Sequence, residues 1–355
     1  MRRILWIIVI LLVGIGAYLL LWPVPIEPVR YEPSENPGMT GPFVQNEALA
    51  SVQHLINGIG QGPEDITRGE DGFFYTGLQD GRIIRFRPDG SDTETFVKTG
   101  GRPLGMQFDA EGYLIVADAF KGLLSVSPAG AIKVLTDSVK GKRLLFTDDL
   151  DIAADGTIWF SDASQRFNQH NWILDFWETR PTGRLLSYDP KTGKTEVRLD
   201  TLMFANGVAL GPNDTYVLVN ETIRARIVRL WLKGAKAGQV DIFIDELPAY
   251  PDNLSYNENG IFWVALLSPR AKDLERLWPS PFIRKLLMRL PDSWRGAEPP
   301  PLYGWVIGVD TTGAIVHNFQ DPNGGYGSIT SVNEFDNKLY LGSIVMSSVG
   351  QYVWH

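Results

Sequence analysis

Short apolar segments alternate with polar turns along most of the chain, and this alternation has a regular spacing. Six turns share one form, in which a short approach strand and a turn pair precede a strongly apolar strand. They begin at Asp71, Glu111, Asp155, Asn213, Asn259 and Asp336, at successive distances of 40, 44, 58, 46 and 77 residues. The shorter distances are typical of a four-stranded propeller blade. Because most of the turns have the chemistry of tight hairpins, the pattern predicts an all-β, six-bladed β-propeller.

The N-terminal segment has a different pattern. Ile4 to Trp22 is a run of 19 residues without a charge, and it follows Arg2 and Arg3. As a helix this run would be about 28 Å long, close to the hydrocarbon thickness of a bilayer. A cleaved signal peptide is the alternative, but the apolar run continues beyond the weak cleavage sequence GIGA, so we expect an uncleaved signal anchor. The basic residues in front of it predict that the rest of the chain lies on the extracytoplasmic side.

These patterns divide the chain. We expect residues 1–22 to form a transmembrane helix, residues 23–44 a stiff Pro-rich linker, and residues 45–355 the propeller. Insertions at residues 165–181 and 268–294 account for the long spacings, and both mix aromatic and basic side chains. We expect them to form a lid over an apolar substrate pocket. Packing at the blade edges and contact with the membrane surface are the alternatives.

Oxygen-bearing side chains recur at one position relative to the turns. Counting back seven residues from each turn gives Glu64, Leu104, Asp148, Asn206, Asp252 and Ile329, and the residues that follow are Asp65, Gly105, Asp149, Gly207, Asn253 and Thr330. Equivalent positions of propeller blades meet around one central channel, where carboxylates raise one another's pKa. Asp and Asn also begin strands as ordinary turn caps, but four such residues in one register favour a cation site.

Calcium suits this set of side chains. Ca²⁺ takes about six to eight oxygen ligands, including carboxylates and amide carbonyls, whereas Mg²⁺ demands a tighter octahedral geometry. The predicted protein ligands are Glu64, Asp148, Asn206, Asp252 and Asn253. They would supply about five oxygens, which leaves positions for water and substrate.

The composition narrows the chemistry further. The chain of 355 residues contains no cysteine, which excludes disulfides, thiolate catalysis and zinc–thiolate sites. Its four histidines have no HExxH spacing, so a metal here would have to be held by oxygen. The net charge is -8 and no dense Lys/Arg block occurs, which argues against nucleic acid as a partner. The absence of a GxSxG motif argues against a covalent serine mechanism.

Four stretches carry a family resemblance. They are GPEDI at 62–66, FTDDLDIAADGTIWFSDAS at 146–164, FANGVALGPNDTYVLVNET at 204–222 and YPDNLSYNENGIFWVAL at 250–266. Together they resemble the strictosidine synthase-like, gluconolactonase and paraoxonase propellers, over most of residues 55–353. The resemblance implies a calcium-dependent esterase or lactonase, with calcium ligands at the five positions named above. A weaker match to the second, structural calcium of paraoxonases falls on Asp65 and Asp149.

The resemblance also implies a mechanism. Ca²⁺ would polarise the carbonyl of a small-molecule ester or lactone, and a carboxylate would deprotonate the attacking water. Asp252 is the first choice for this base, because the matching ligand is the base in gluconolactonases; Asp148 is second and Asp118 third. Leu104 stands where paraoxonases have a catalytic histidine, so a histidine mechanism is not expected. Glu334 lies in the last inner strand, without a confident alignment to the catalytic glutamate of strictosidine synthase.

A different class of function fits the same pattern. Many propellers bind partners without catalysis, so the main alternative is a membrane-tethered binding propeller in which calcium is structural. The expected partners are a small-molecule ester or lactone substrate and the membrane, which the N-terminal helix would cross. Turnover of substrate in the presence of calcium would discriminate between the two.

Overall fold

A computed structural model describes residues 2–295 and 302–354 of the chain. The chain divides into two compact units. The smaller unit comprises Met1–Pro33, Asn171–Arg180 and Ala271–Pro300, and the larger unit comprises Ser34–His170, Pro181–Arg270 and Pro301–His355.

The larger unit is a six-bladed β-propeller, as the turn pattern predicts. Within the described residues it contains six four-stranded antiparallel sheets, and the first strand, β1 (Gln53–Leu55), belongs to the last of them. Blade 1 is β2 (Ile66–Arg68), β3 (Phe74–Gly77), β4 (Arg82–Phe86) and β5 (Glu94–Lys98), and blade 2 is β6 (Pro103–Phe108), β7 (Leu114–Asp118), β8 (Gly122–Val126) and β9 (Ile132–Thr136). A small hairpin, β10 (Ser138–Val139) and β11 (Lys142–Arg143), precedes blade 3.

The other blades follow in chain order. Blade 3 is β12 (Thr147–Ile152), β13 (Ile158–Asp162), β14 (Gly183–Asp189) and β15 (Lys194–Leu202). Blade 4 is β16 (Ala205–Leu210), β17 (Tyr216–Glu221), β18 (Arg226–Trp231) and β19 (Val240–Ile244). Blade 5 is β20 (Ala249–Tyr256), β21 (Ile261–Pro269), β22 (Gly304–Asp310) and β23 (Ile315–Asp321). Blade 6 is β24 (Ile329–Phe335), β25 (Lys338–Ser343), β26 (Val349–Val353) and the N-terminal β1.

The two ends of the propeller sequence close the ring. β1 pairs antiparallel with β26, with Gln53 opposite Gln351 and Leu55 opposite Val349. Closure removes the exposed sheet edges that an open array of blades would leave.

The hydrophobic core is divided into layers between neighbouring blades. Tyr75 of blade 1 packs with Met106 of blade 2 in one such cluster. In another, Phe74 of blade 1 packs with Tyr340 and Val349 of blade 6. Because each blade contributes apolar side chains on both faces, the apolar strands of the repeated pattern become the interior and the polar turns stay outside.

The inner strands of blades 2 to 6 are bulged at the same place. The register shifts fall between Pro103 and Met106, Thr147 and Leu150, Ala205 and Val208, Pro251 and Leu254, and Ile329 and Val332. A bulge inserts an extra residue and redirects the side chains around it. In blades 2 to 5, the bulged pair is the same pair of residues that counting back seven residues from the turn identifies.

In blade 6, the bulged pair lies one residue later than the pair obtained by counting back seven residues from the turn. Its bulged pair is Thr330–Ser331, whereas counting back seven residues gives Ile329 and Thr330. The turn explains the difference, because Phe335 pairs directly with Lys338 and leaves a turn of two residues. In blade 3, the turn runs from Ile152 to Ile158 and is longer.

The smaller unit is helical. In the part of the chain that the structure describes, its α-helices are α1 (Arg2–Leu21), α2 (Ile173–Glu178), α3 (Lys272–Glu275) and α4 (Pro281–Leu287). α1 is apolar, has no buried residue, and is long enough to cross a membrane. Both predicted insertions contribute to this unit, and their role as a lid stays a prediction.

Candidate metal centre

The bulges and one strand start hold four of the predicted ligands. Asp148, Asn206 and Asp252 are each the first residue of a bulged pair. Glu64 lies two residues before β2 of blade 1, and its backbone N–H donates to the carbonyl of Gly77 at 3.2 Å. The four side chains are only 3–6 % exposed, although acids are rarely buried without a partner or an ion.

Three of these residues form one electrostatic group. Burial raises the pKa of Glu64 well above its usual range, and repulsion from Asp252 and Asp148 raises it further. Burial and then Asp252 likewise raise the pKa of Asp148. Burial raises the pKa of Asp252 to about 7, against a lowering hydrogen bond from Asn206. Repulsion among these carboxylates opposes the ionisation of more than one of them unless a cation is bound.

Amide oxygens complete the set. Asn253 donates from Nδ2 to Oε1 of Glu64 at 3.2 Å, so the side chains of blades 1 and 5 meet. Among the described residues, Glu64 Oε2, Asn206 Oδ1 and Asn253 Oδ1 are buried without a hydrogen-bond partner. Such oxygens are costly to bury unless something else binds them, and a hard cation would do so. The donor set therefore fits Ca²⁺.

The carboxylates do not form a metal cage by themselves. Within residues 2–295 and 302–354, no group of three or more His, Asp or Glu side chains lies close enough together to hold an ion. Any site here needs the amide oxygens of Asn206 and Asn253, or bound water, in addition to the acids. Calcium binding by this set stays a prediction.

The two residues predicted for a second calcium make bonds between blades. Asp65 accepts hydrogen bonds from the backbone N–H of Met106 at 2.9 Å and from Nδ2 of Asn333 at 2.8 Å. Asp149 accepts from the N–H of Val208 at 2.8 Å. Burial raises the pKa of both carboxyl groups. Asp65 thus joins blade 1 to blades 2 and 6, and Asp149 joins blade 3 to blade 4. A second ion at these residues stays a prediction.

Glycines make room for these contacts. A Cβ on Gly105 would lie 2.3 Å from Oδ1 of Asp149, and a Cβ on Gly207 would lie 2.6 Å from the carbonyl oxygen of Asp252. Real Cβ atoms do not come this close to other atoms. Gly207 is therefore required by the approach of the neighbouring blade rather than by a turn.

A buried cation that no sequence pattern indicates lies beside the acids. Arg102 is 1 % exposed and donates from Nη1 to the carbonyls of Gly62, at 2.9 Å, and Gly77, at 3.4 Å. The carbonyl of Gly77 also accepts the backbone N–H of Glu64. Attraction to Arg102 opposes the rise in the pKa of Glu64 and of Asp148. Arg102 thus holds the Glu64 segment and offsets part of the negative charge.

Asp118, the third candidate base, is used by the backbone. Its Oδ1 accepts from the N–H groups of Arg102 and Phe120, both at 3.0 Å. The acids that end the second strands of blades 3 and 4 make the same kind of contact, since Asp162 accepts from the N–H of Phe146 and Glu221 accepts from another loop N–H. Asp118 is therefore one of three acids that hold the loops before the inner strands.

A cavity of about 340 Å³ is lined by the inner strands of all six blades. Its wall includes Asp65, Asp149 and Asn253. Residues that lie further along the inner strands form the rest of the wall. Of the five predicted ligands only Asn253 lines it, so this cavity lies on one side of the buried acids. It is the central channel that the repeat predicts.

Comparisons with known proteins identify the family. The strictosidine synthase family model matches residues 148–235, and the model of the N-terminal region of strictosidine synthase-like proteins matches residues 41–86. Adipocyte plasma membrane-associated protein from Rattus norvegicus is 34 % identical over 352 residues, which covers 93 % of each chain. The chain belongs to the strictosidine synthase-like family. The resemblance to the strictosidine synthase-like propellers that the sequence motifs indicate is confirmed.

Solved structures support the fold of this family member. A gluconolactonase from Xanthomonas campestris superimposes with a TM-score of 0.62 at 14 % identity, covering 86 % of this chain and 90 % of its own. Regucalcin, a calcium-binding protein from Agrobacterium tumefaciens, superimposes with a TM-score of 0.58 at 12 % identity, covering 84 % and 90 %. At these identities the likeness establishes the propeller architecture alone.

Proposed function

We propose that this chain is a calcium-dependent hydrolase that cleaves esters or lactones with water. The observation that carries the proposal is the set of three buried, mutually repelling carboxylates beside amide oxygens without partners. A bound divalent cation would remove both costs at once. The gluconolactonase among the structural neighbours supports the reaction class, and the calcium-binding neighbour supports the ion.

The residues have distinct roles in this proposal. Glu64, Asp148, Asn206, Asp252 and Asn253 would hold the ion through their side-chain oxygens. When bound, the cation supplies positive charge to the carbonyl oxygen of the substrate as that oxygen becomes negative. Arg102 would stay outside the reaction and keep the Glu64 segment in place.

Asp252 is the proposed general base. Burial raises its pKa to about 7, near neutral pH, and a base works best when its pKa is near the working pH. Its carboxylate would take a proton from the attacking water as the new carbon–oxygen bond forms. The proton would then pass to the leaving alkoxide as the ester or lactone carbon–oxygen bond breaks. Asp148 is the second candidate for this role.

Calcium-dependent turnover tests the proposal. The full-length protein in detergent would be stripped of metal, and calcium binding would be measured by calorimetry alongside hydrolysis of a panel of aryl esters and lactones. We expect calcium to restore hydrolysis and magnesium to fail, because Mg²⁺ accommodates this many protein ligands poorly. Calcium binding without turnover of any substrate would favour the non-catalytic binding propeller.

We also infer that the propeller lies on the extracytoplasmic side of the membrane. Arg2 and Arg3 precede the apolar helix, and basic flanks stay in the cytoplasm. A reporter enzyme that is active only outside the cytoplasm should therefore be active when it is fused to the C-terminus. Activity of a cytoplasmic reporter at that position would contradict this orientation.

A further inference from the structure

The smaller unit is assembled around a buried arginine. Arg284 of α4 is 0 % exposed, and its guanidinium donates to the carbonyl oxygens of Trp177 at 2.7 Å, Val29 at 2.6 Å and Trp278 at 2.8 Å. The indole N–H of Trp278 donates to the carbonyl of Phe176 at 2.8 Å. Bonds from a charged donor are the strong ones. Both insertions and the linker after α1 are therefore fastened into one small body.

The same body is bonded to the end of α1. Arg289, two residues after α4, donates from Nε to the carbonyl of Trp22 at 2.6 Å, and its own carbonyl accepts from the hydroxyl of Tyr18 at 2.9 Å. The rings of Tyr18 and Trp22 lie 5.7 Å apart. Tyr and Trp are enriched where membrane helices meet water. Arg289 therefore lies at the level at which the candidate membrane span ends.

Large apolar side chains are exposed on this body. Phe282 and Ile283 of α4 are 63 % and 44 % exposed, and Trp294 is 72 % exposed. Single exposed apolar residues are common on protein surfaces. Here they lie on both sides of Arg289 in the sequence, and Arg289 is bonded to the end of the candidate span. The bilayer is therefore the nearby partner that would cover these side chains.

The charge of this segment fits an anionic surface. Residues 271–295 contain six Lys or Arg and three Asp or Glu, a net charge of +3 in a chain whose net charge is -8. Lys285 is one helical turn from Phe282, so an apolar and a basic side chain share one face of α4. Basic residues mixed with Trp and Phe are typical of segments that lie in the membrane interface.

We propose that α4 and the segment after it form a second membrane contact, which rests on the bilayer that α1 crosses. Phe282, Ile283 and Trp294 enter the headgroup region, while Lys285 faces anionic headgroups. A single span by itself would leave the smaller unit free to tilt and to turn about the membrane normal. This contact would fix the unit against the membrane plane, independently of any catalytic activity.

The absence of cysteine from the chain makes a direct test possible. Single cysteines at 282 and 294 would carry a nitroxide label in the full-length protein, reconstituted into phosphatidylcholine vesicles with and without phosphatidylserine. Matched controls are cysteines at Val134 and Val240, which are each 50 % exposed on the outer strands β9 and β19. Electron paramagnetic resonance would compare relaxation by oxygen with relaxation by a water-soluble nickel chelate.

We expect labels at 282 and 294 to be several-fold more accessible to oxygen relative to nickel than labels at 134 and 240. Lys285→Glu should reduce this ratio in vesicles that contain phosphatidylserine and leave it unchanged in phosphatidylcholine alone. Equal accessibility at all four positions would overturn the proposal. A label at Ile283 replaces the one at 282 if that variant fails to fold, as judged by its near-UV circular dichroism.

Discussion

Blades 1, 3 and 5 differ from blades 2, 4 and 6 at one pair of positions in their inner strands. The odd-numbered blades carry an acid followed by an acid or amide: Glu64–Asp65, Asp148–Asp149 and Asp252–Asn253. The even-numbered blades carry Leu104–Gly105, Asn206–Gly207 and Thr330–Ser331. Each acid is thus separated from the next by a blade without one. This alternation keeps three carboxylates around one channel while limiting the repulsion between neighbours.

The even-numbered blades supply space and donors. Gly105 and Gly207 leave room for adjacent blades, and the residues after them, Met106 and Val208, donate backbone N–H groups to Asp65 and Asp149. In blades 1 and 3 the second acid bonds to a neighbouring blade, whereas the first acid of each odd blade is proposed to hold the ion. Four experiments test this division.

The largest effect is expected at the proposed base. Asp252→Asn keeps the size and an oxygen ligand but removes the basicity, so hydrolysis should fall by about 10²- to 10⁴-fold, the usual contribution of a general base. Calcium affinity should change far less, as calorimetry would show. Thr330→Val is the control on an even blade, and it should keep most of the activity. Full activity in Asp252→Asn would transfer the role of base to another group.

Closing the space on an even blade should affect folding rather than chemistry. Gly207→Ala would place a Cβ 2.6 Å from two backbone atoms of blade 5, so we expect a loss of about 3 kcal/mol or more in unfolding free energy. Gly141→Ala is the matched control, since its surroundings are open and only its positive φ of 73° resists the change. Chemical denaturation of both variants would measure the difference. Equal costs would show that the close approach is unimportant.

The acids of the odd blades predict an unusual response to pH. An acid whose pKa rises on folding binds more protons in the folded state, so its contribution to stability is full below about pH 4 and is lost as the pH rises through its folded pKa. For Asp252 that window ends near its pKa of about 7. The metal-free protein should therefore lose up to about 1.4 kcal/mol per pH unit per such group over this range.

Calcium should remove this decline, because the ion stabilises the ionised acids. Thermal unfolding at several pH values, with calcium or a chelator, would measure both curves. Asp252→Asn should flatten the metal-free curve over the same window. A metal-free protein that gained stability from pH 4 to 7 would contradict the electrostatic description of the site.

The smallest effect is expected at the neutral ligand of an even blade. Asn206→Ala removes an oxygen that has no other partner within the described chain, so calcium affinity should fall by about tenfold, or about 1.4 kcal/mol. Thr330→Ala removes a hydroxyl that donates to the carbonyl of Glu64, and it should lower stability slightly without changing calcium affinity. Titration calorimetry on the two variants would separate these outcomes.

The sequence predicts the architecture well because the architecture is periodic. Turn pairs and apolar strands repeat with each blade, and the uncharged run at the N-terminus is as distinctive. The count of seven residues also finds the bulged pairs of blades 2 to 5, since their turns have similar lengths. It misses blade 6 by one residue because the turn at Asp336 is shorter.

The buried arginines could not be predicted in the same way. Arg102 and Arg284 look like ordinary surface residues in the sequence, and arginine is mostly exposed in proteins. Their burial depends on carbonyl groups from distant parts of the chain, such as Gly62 for Arg102 and Val29 for Arg284. The sequence around each arginine does not indicate these distant partners, so only the tertiary structure reveals them.

The pairing of β1 with β26 has a consequence for biosynthesis. Blades 1 to 5 are each made from consecutive strands, so they can form as the chain emerges from the ribosome. The last blade cannot, because its outer strand is made first and the strand beside it is made last. Contacts between such distant segments are slow to form. Until Val349–Val353 is translated, the nascent ring stays open, with unpaired edges that invite aggregation.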